Sequence, residues 1–249
     1  MSTTSEKAIE LIRQARHVVA FTGAGISTEA GIPDFRSEGG LWEDEALLAQ
    51  LSADGFLRDP AGFYRSAARM LAPMLAAEPT PAHHLLRQLE KRGKVVEVVT
   101  QNIDGLHQAA GSQIVYEVHG TYRTGRCVGC GARHAMADFY AQLAREEILL
   151  PQCAKCAAAI KPDIVLFGDL LPTSEWRAAM EAARACDLVL VLGSSLVVYP
   201  AADLPMIAVD AGAKLVIVNL EPTELDDRAT AVVRGSLGEF ARDALAALA

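Results

Sequence analysis

Three groups of residues in this sequence have the types and spacing to do chemistry. The first is sulfur: Cys127-Val128-Gly129-Cys130 and Cys153-Ala154-Lys155-Cys156 are two Cys-x-x-Cys pairs with 22 residues between them. Two residues between ligands let both thiolates of a pair reach one tetrahedral ion, and Gly129 and Gly131 suit the turn this requires. Four thiolates close the shell, so the expected metal is a structural Zn2+; a redox dithiol is the competing reading. The second group is glycine. The apolar run Val18 to Phe21 ends in Gly23-Ala24-Gly25, where backbone amides can approach a phosphate closely. Thr28 stands where a dehydrogenase fingerprint has its third glycine and the next glycine is Gly31, so a tight turn and a nucleotide cradle both remain open. The third group is polar: Gln101, Asn102 and Asp104, then His119, each group directly after an apolar run. An Asn-x-Asp-Gly segment is commonly a turn and a His-Gly commonly a satisfied structural pair, yet each also offers hydrogen bonds or proton transfer at a strand end.

The elements that must position these groups alternate along the chain. Near-continuous apolar runs begin near His17 and recur at Lys94–Val99, Ile114–Val118, Ile164–Phe167, Leu188–Leu192 and Leu215–Val218, with helical segments between them. Strands of that kind alternating with helices predict an α/β fold, a doubly wound parallel sheet covered on both faces. Ligands in such sheets lie beyond the carboxyl ends of strands. Ser5 is the expected cap of a first helix that carries Ala8, Ile9, Ile12 and Ala15 on one face. Asp59-Pro60 starts a helix whose Phe63, Ala67, Met70, Leu71 and Met74 share a face, and Thr80-Pro81 opens another that Gly93 closes. The expected division is a Rossmann-like domain from residues 1–36, 81–120 and 161–249. A smaller domain would combine a helical insertion, 37–80, with the zinc module, 121–160.

The composition, 51% hydrophobic and 22% charged over 249 residues, is that of a globular chain with an ample core. Its net charge of −8 lacks the basic footprint of a dedicated nucleic-acid binder. An acidic surface suits lysine-rich protein partners, though it equally serves solubility alone. No apolar run approaches the roughly 20 residues of a membrane helix and Met1–Arg16 has no signal-like apolar core, so a cytoplasmic, monomeric protein is expected. The fifth cysteine, Cys186, reads as a small buried hydrophobe. His83, His84 and His107, in or beside predicted helices, read as packing or surface residues, and His17 and His134 belong to no motif.

Taken together, Gly23 to Arg36, Thr100-Gln101-Asn102-Ile103-Asp104-Gly105-Leu106-His107 and Val118-His119-Gly120 resemble the sirtuins, the NAD-dependent protein lysine deacylases. Pro162 to Asp169, Leu192 to Ala201 and Ile217-Val218-Asn219 extend the likeness over nearly the whole chain, nearest to the bacterial deacetylases. The resemblance implies NAD as cofactor, acylated-lysine proteins as substrates, and nicotinamide and O-acetyl-ADP-ribose as products. It also implies that the cysteine module belongs to a small domain and that the segment Ser37–Leu41 orders around NAD. Under it His119 is the catalytic base, taking a proton through the ribose hydroxyls, a step whose loss costs roughly 10²- to 10⁴-fold.

The same likeness assigns Gly23, Ala24, Gly25 and Thr28 to the cradle. Asp34 then contacts nicotinamide, Phe35 shields the developing cation and Arg36 pairs a phosphate. Asn102 holds the ribose or a water and is counted with His119 as catalytic, while Gln101, Ile103 and Asp104 complete the nicotinamide side. Gly193, Ser194, Ser195, Asn219, Leu220 and Leu237 serve the adenosine half. The substrate is expected as an added strand between Phe167–Leu171 and Val198–Pro200, with its acyl group against Phe35, Ile103, Val165, Phe167, Gly168 and Val198.

Members that remove acidic acyl groups carry Tyr-x-x-Arg, whereas Tyr64 here is followed three residues later by Ala67. Neutral acyl groups are therefore expected, unless Arg65 or Arg69 reaches the tunnel. Gly193-Ser194-Ser195 and Phe167-Gly168-Asp169 are small departures from the family pattern, as is Ala158 or Ala159 where a glycine is common. Two other classes stay open on sequence grounds: transfer of ADP-ribose to a protein, and sensing of NAD or ADP-ribose without turnover.

Overall fold

The computed structural model describes residues 2–34 and 45–248, so the expectations for Phe35, Arg36 and the segment 37–41 lie outside the described residues, as does the side chain of Arg69. The described strands are β1 (His17–Thr22), β2 (Val95–Thr100), β3 (Ile114–Glu117), β4 (Gly120–Cys127), β5 (Arg133–Ala135), β6 (Ile160–Ile164), β7 (Leu188–Leu192), β8 (Lys214–Asn219) and β9 (Ala231–Arg234). The helices are α1 (Thr3–Gln14), α2 (Glu45–Gln50), α3 (Ala53–Arg58), α4 (Pro60–Ala76), α5 (Pro81–Lys91), α6 (Leu106–Ala109), α7 (Ala137–Ala144), α8 (Thr173–Ala185), α9 (Leu204–Asp210) and α10 (Leu237–Ala247).

Six strands form one parallel sheet in the order β3-β2-β1-β7-β8-β9. Strand order reverses between β1 and β7, which opens a crevice beyond their carboxyl ends. Alternation along each strand divides the core in two. Val18, Ala20, Leu188, Leu190, Val216 and Val218 face α1, α5 and α10, while Val19, Phe21, Val189, Val191, Leu215 and Ile217 face α8 and α9. Two covered faces explain why these strands read as unbroken apolar runs.

A second, antiparallel sheet has the order β5-β4-β6. Its core joins Phe56, Phe63 and Tyr64 from α3 and α4 to Met136, Tyr140, Cys127, Cys153 and Ile160. Residues far apart in sequence thus share one packing unit.

Two local expectations change. The helix cap is Ser2, whose side chain accepts from the Ser5 N–H at 3.1 Å; Ser5 lies inside α1 and is buried. The run Ile164–Phe167 is not a strand of the parallel sheet. β6 ends at Ile164 against β4, and Phe167 is 52% exposed, its carbonyl accepting from Ala53 N–H at 3.1 Å. The six parallel positions are filled by other runs, including β9, a four-residue edge strand that no sequence signal marked. In the second cysteine turn Ala157 takes the left-handed conformation, at φ +58°. Asp59 caps α4 through the Gly62 N–H at 2.8 Å and Gly93 follows α5 at φ +82°, both as the sequence predicts.

Candidate active site

The Gly23–Gly25 turn and the Gly193 turn interlock at the crevice. Gly25 N–H donates to Gly193 O at 2.9 Å, and Gly23 N–H to Leu192 O at 3.3 Å. A Cβ on Gly25 would lie 2.8 Å from Gly193 Cα, and one on Gly193, at φ +63°, would lie 2.5 Å from Gly25 C and Ile26 N. Backbone meets backbone there, so the glycines are required by loop packing itself. Beyond them Leu196, 2% exposed, is held at φ +58°, a costly conformation for a leucine of the kind found at ligand clamps.

The segment after β2 supplies the polar floor. Gln101 Nε2 donates to Ser194 Oγ at 2.9 Å, tying it to the β7 loop. The Asn102 amide donates to Gly23 O at 3.1 Å and to Ser27 Oγ at 3.2 Å, leaving its Oδ1 as the acceptor turned to other uses. Asp104, 7% exposed, accepts from Leu106 N–H at 3.0 Å through Oδ1 and from Ser27 Oγ at 2.7 Å through Oδ2. The turn that this segment commonly forms is therefore present, pinned through Ser27 to the glycine loop. Gly105, at φ +69°, then opens α6. Ser27 is the residue sequence reasoning missed: it lies inside the glycine motif, but only the fold shows that its hydroxyl joins Asp104 to Asn102.

His119 sits at the seam between the two sheets, one residue past Val118 and one before β4. Gly120, at φ +76°, makes the turn; its added Cβ would lie 2.0 Å from Asp163 O. The His119 carbonyl accepts from Val165 N–H at 2.8 Å, and its ring Nδ1 lies 3.0 Å from Gln101 O. A carbonyl can only accept, so Nδ1 carries the proton and Nε2 presents its lone pair, without a partner among the described residues. Burial lowers the His119 pKa from 6.5, against a smaller opposing effect of the Gln101 carbonyl. The ring is thus a neutral base near pH 7.

All of this opens into one cavity of about 1410 Å³. Gly23, Ala24, Gly25, Thr28, Asp34, Gln101, Asn102, Ile103, Asp104, His119, Gly193, Ser194, Ser195, Asn219, Leu220 and Leu237 all line it, as do Val165, Phe167, Gly168 and Val198. Every expected catalytic, cofactor-binding and substrate-binding residue that is described therefore lines the same space. Asn219 is held by a 2.8 Å bond from its amide to Glu221 O. Tyr64 lines the cavity too, as do Tyr122 and Tyr140, which carried no sequence signal. The Tyr64 hydroxyl donates to Ile160 O at 2.6 Å, and Arg65 turns away to Asp59 at 3.2 Å. At the mouth, Phe167, Leu170 and Tyr199 are exposed, and Asp169 fixes its loop by accepting from Leu166 N–H at 3.1 Å and Lys161 Nζ at 2.8 Å.

The four sulfurs of Cys127, Cys130, Cys153 and Cys156 lie within 4.8 Å of one another, with Cys127–Cys156 at 3.3 Å and Cys130–Cys153 at 3.7 Å. Zinc–sulfur bonds of about 2.3 Å place tetrahedral sulfurs roughly 3.8 Å apart, so the cluster fits a zinc ion. Backbone N–H groups of Cys130 and Gly129 point at Cys127 Sγ, and they pull its pKa down to about 6, favouring the thiolate a metal needs. Cys186 is buried, its thiol directed at Ala183 O at 3.3 Å.

A family model described as the Sir2 family matches residues 23–200. A protein of Archaeoglobus fulgidus named NAD-dependent protein deacylase 2 is 45% identical over 240 residues, covering 96% of this chain and 94% of its own. The NAD-dependent protein deacetylase of Thermotoga maritima is 44% identical, covering 94% of each chain. Among solved structures, a Sir2 with a p53 peptide and NAD+ superposes with a TM-score of 0.89 at 43% identity, covering 99% of this chain and 98% of that one. Sir2Tm bound to a propionylated peptide gives 0.87 at 43% identity, with 97% of both chains covered. The chain belongs to the Sir2 family.

Proposed function

We propose that this cavity removes acyl groups from lysine side chains of proteins at the expense of NAD, releasing nicotinamide and leaving the acyl group on ADP-ribose. The observation that carries the reading is the convergence of widely separated stretches of the chain on one cavity around a His119 Nε2 that has no partner among the described residues. When bound, NAD supplies the electrophilic ribose carbon and the leaving nicotinamide, with one water consumed as the acyl group passes from nitrogen to a ribose oxygen.

The residues of the chain do the rest. His119 Nε2 is the base, held in the right tautomer by Gln101 O. Asn102 Oδ1 accepts from a ribose hydroxyl or a water, and Asp104 from the nicotinamide carboxamide. Ala24, Ser194 and Ser195 offer backbone N–H groups at the interlocked turns to phosphate oxygens. Asn219, Leu220 and Leu237 hold the adenosine half. Asp34 lines the nicotinamide side.

Neutral acyl groups are preferred. Among the described lining residues there is no lysine or arginine to pair a carboxylate, and the Tyr64 hydroxyl is already engaged. The division into a nucleotide domain and a small domain at 36/37, 80/81, 120/121 and 160/161 is part of the same proposal. The shared core of α3, α4 and the cysteine module supports it. So is placement in the cytoplasm, supported by the reduced state that four zinc-binding thiols need. No helix among the described residues is long and apolar enough to cross a membrane.

Mass analysis of the products from NAD and an acetyl-lysine peptide tests the reading. Deacetylated peptide with O-acetyl-ADP-ribose is expected; an ADP-ribosylated peptide would make the protein a transferase of another kind, and unchanged NAD a sensor.

A further inference from the structure

His119 stands where the chain passes from the parallel sheet into the antiparallel one. β3 ends at Glu117, in register with Thr100 of β2, and β4 starts at Gly120, so Val118 and His119 carry the crossing. Val118 N–H still donates to Thr100 O at 3.1 Å, whereas the His119 carbonyl already accepts from Val165. A crossing this short passes any rotation of the small sheet to the imidazole.

Arg123 closes the crossing from outside. Its Nη2 reaches back to Glu117 Oε2 at 2.6 Å and its Nε donates to Thr121 Oγ1 at 2.9 Å, so that His119 and Gly120 lie in the enclosed loop. Two N–H groups of one planar guanidinium fix a direction that a single ammonium does not. The stem of the same side chain lies over the loop after β2: a Cβ on Gly105 would come 3.2 Å from Arg123 Cδ and 3.4 Å from its Nε. Beside it Tyr122 N–H donates to Ile103 O at 3.4 Å. Arg123 therefore bears both on the crossing that holds His119 and on the loop that carries Asn102 and Asp104. Neither Glu117 nor Arg123 is among the described residues that line the cavity.

We propose that Arg123, paired with Glu117, is a positioning residue of the reaction, holding His119 and the Asn102–Asp104 loop in one fixed relation across the seam between the two sheets. The inference rests on the deacylase reading above. An ordinary surface ion pair is the alternative, and the two differ in what they affect. The Arg123 side chain is 42% exposed, and exposed pairs contribute little to global stability. Positioning acts on rate, because a misplacement of about 1 Å at a reacting group can cost roughly 10²-fold. The Glu117 side chain is only 15% exposed, and loss of its partner draws the carboxylate toward water, taking the end of β3 with it.

Arg123→Ala, Arg123→Lys, Glu117→Gln and the double variant Glu117→Gln, Arg123→Ala test the proposal. The readouts are deacetylation of an acetyl-lysine peptide and the nitrogen NMR signals of the His119 ring at about pH 8. In Arg123→Ala kcat should fall roughly 10- to 100-fold, with KM for NAD and peptide within about threefold and Tm and zinc content retained. Arg123→Lys should recover part of the loss, and the double variant should be no slower than Arg123→Ala, because the same contact is removed twice. In the wild type the two ring nitrogens should give the well-separated signals of one Nδ1–H tautomer; in Arg123→Ala they should converge as the ring leaves Gln101 O. A kcat within about twofold of wild type, additive losses in the double variant, or unchanged ring signals overturns the positioning role and leaves the deacylase reading standing. So does a loss of kcat that merely follows a lowered Tm in both Arg123 variants. A wild type that deacetylates no peptide overturns the deacylase reading, and the ring signals then decide by themselves whether Arg123 positions His119.

Discussion

Acid should unfold this protein through two histidines that its chemistry does not use. His83 and His107 are 0% and 1% exposed, their rings 4.6 Å apart behind the nucleotide turns. His83 Nδ1 accepts from Thr80 N–H at 3.1 Å, and His107 Nε2 meets Thr22 Oγ1 at 2.9 Å, so each ring has one nitrogen engaged while His83 Nε2 and His107 Nδ1 have no partner among the described residues. Burial pushes the His83 pKa from 6.5 down to about 3, with His84 a smaller cause, and burial also holds His107 well below 6.5. The unfolded chain therefore takes up both protons first. The stability these neutral rings represent is fully present above pH 6.5 and is lost as pH falls toward the folded values. At pH 5 the loss from His83 is about 1.5 pH units at 1.36 kcal/mol each, or roughly 2 kcal/mol, and His107 adds a loss of the same sign. That is a large part of the roughly 5–15 kcal/mol of a typical domain. Urea denaturation at pH 7.5, 6 and 5 measures it. In the double variant His83→Asn, His107→Gln, which can keep the Thr80 and Thr22 contacts without a titrating ring, the slope over this range should flatten. An equal loss of stability in variant and wild type would refute the reasoning.

Ser27→Ala removes the hydroxyl shared by Asp104 and Asn102. Stranding two site groups costs about 1–3 kcal/mol, so kcat/KM for NAD should fall roughly 10- to 100-fold in steady-state assays, and an unchanged value would contradict the network. Gly193→Ala drives a Cβ to 2.5 Å from Gly25 C and Ile26 N, so a thermal shift assay should show a lower Tm and a lost NAD-induced rise. Chelating zinc, or Cys153→Ser, should release residues 121–160, because Cys127 and Cys153 sit inside the third core and such metal binding is worth on the order of 10 kcal/mol. Hydrogen exchange would show that segment unprotected while β1, β7 and β8 stay closed.

The parallel sheet and most of the site were legible because one rule governs both: buried strands end where polar motifs begin. Gly23, Gln101, His119 and Gly193 each follow an apolar run by one or two residues. The cysteine spacing was legible because metal geometry restricts it tightly. What failed to show has physical reasons. β4 is polar along Thr121–Arg126 and lacks a clear period, so the antiparallel sheet left no trace. Ser2 and Ser5 are both competent caps, and only the burial of position 5 decides between them. Val165, Leu166 and Phe167 are apolar for a cavity wall and mouth, which periodicity cannot distinguish from a strand. The apolar face of α4 is the same case: Phe63, Ala67, Met70, Leu71 and Met74 line the cavity, and a pattern reports a face but not what lies against it. Tyr122 and Tyr140 carried no pattern at all; they reach the cavity through the fold of a sheet the sequence did not reveal.

The most direct test of the central claim is nicotinamide release from NAD, with and without an acetyl-lysine peptide, in wild type and His119→Ala. Release that requires the peptide and falls roughly 10²- to 10⁴-fold in the variant is the expected result, given a neutral imidazole with a free Nε2 in the cavity. Release that ignores the peptide, or that proceeds unchanged without the imidazole, would contradict it.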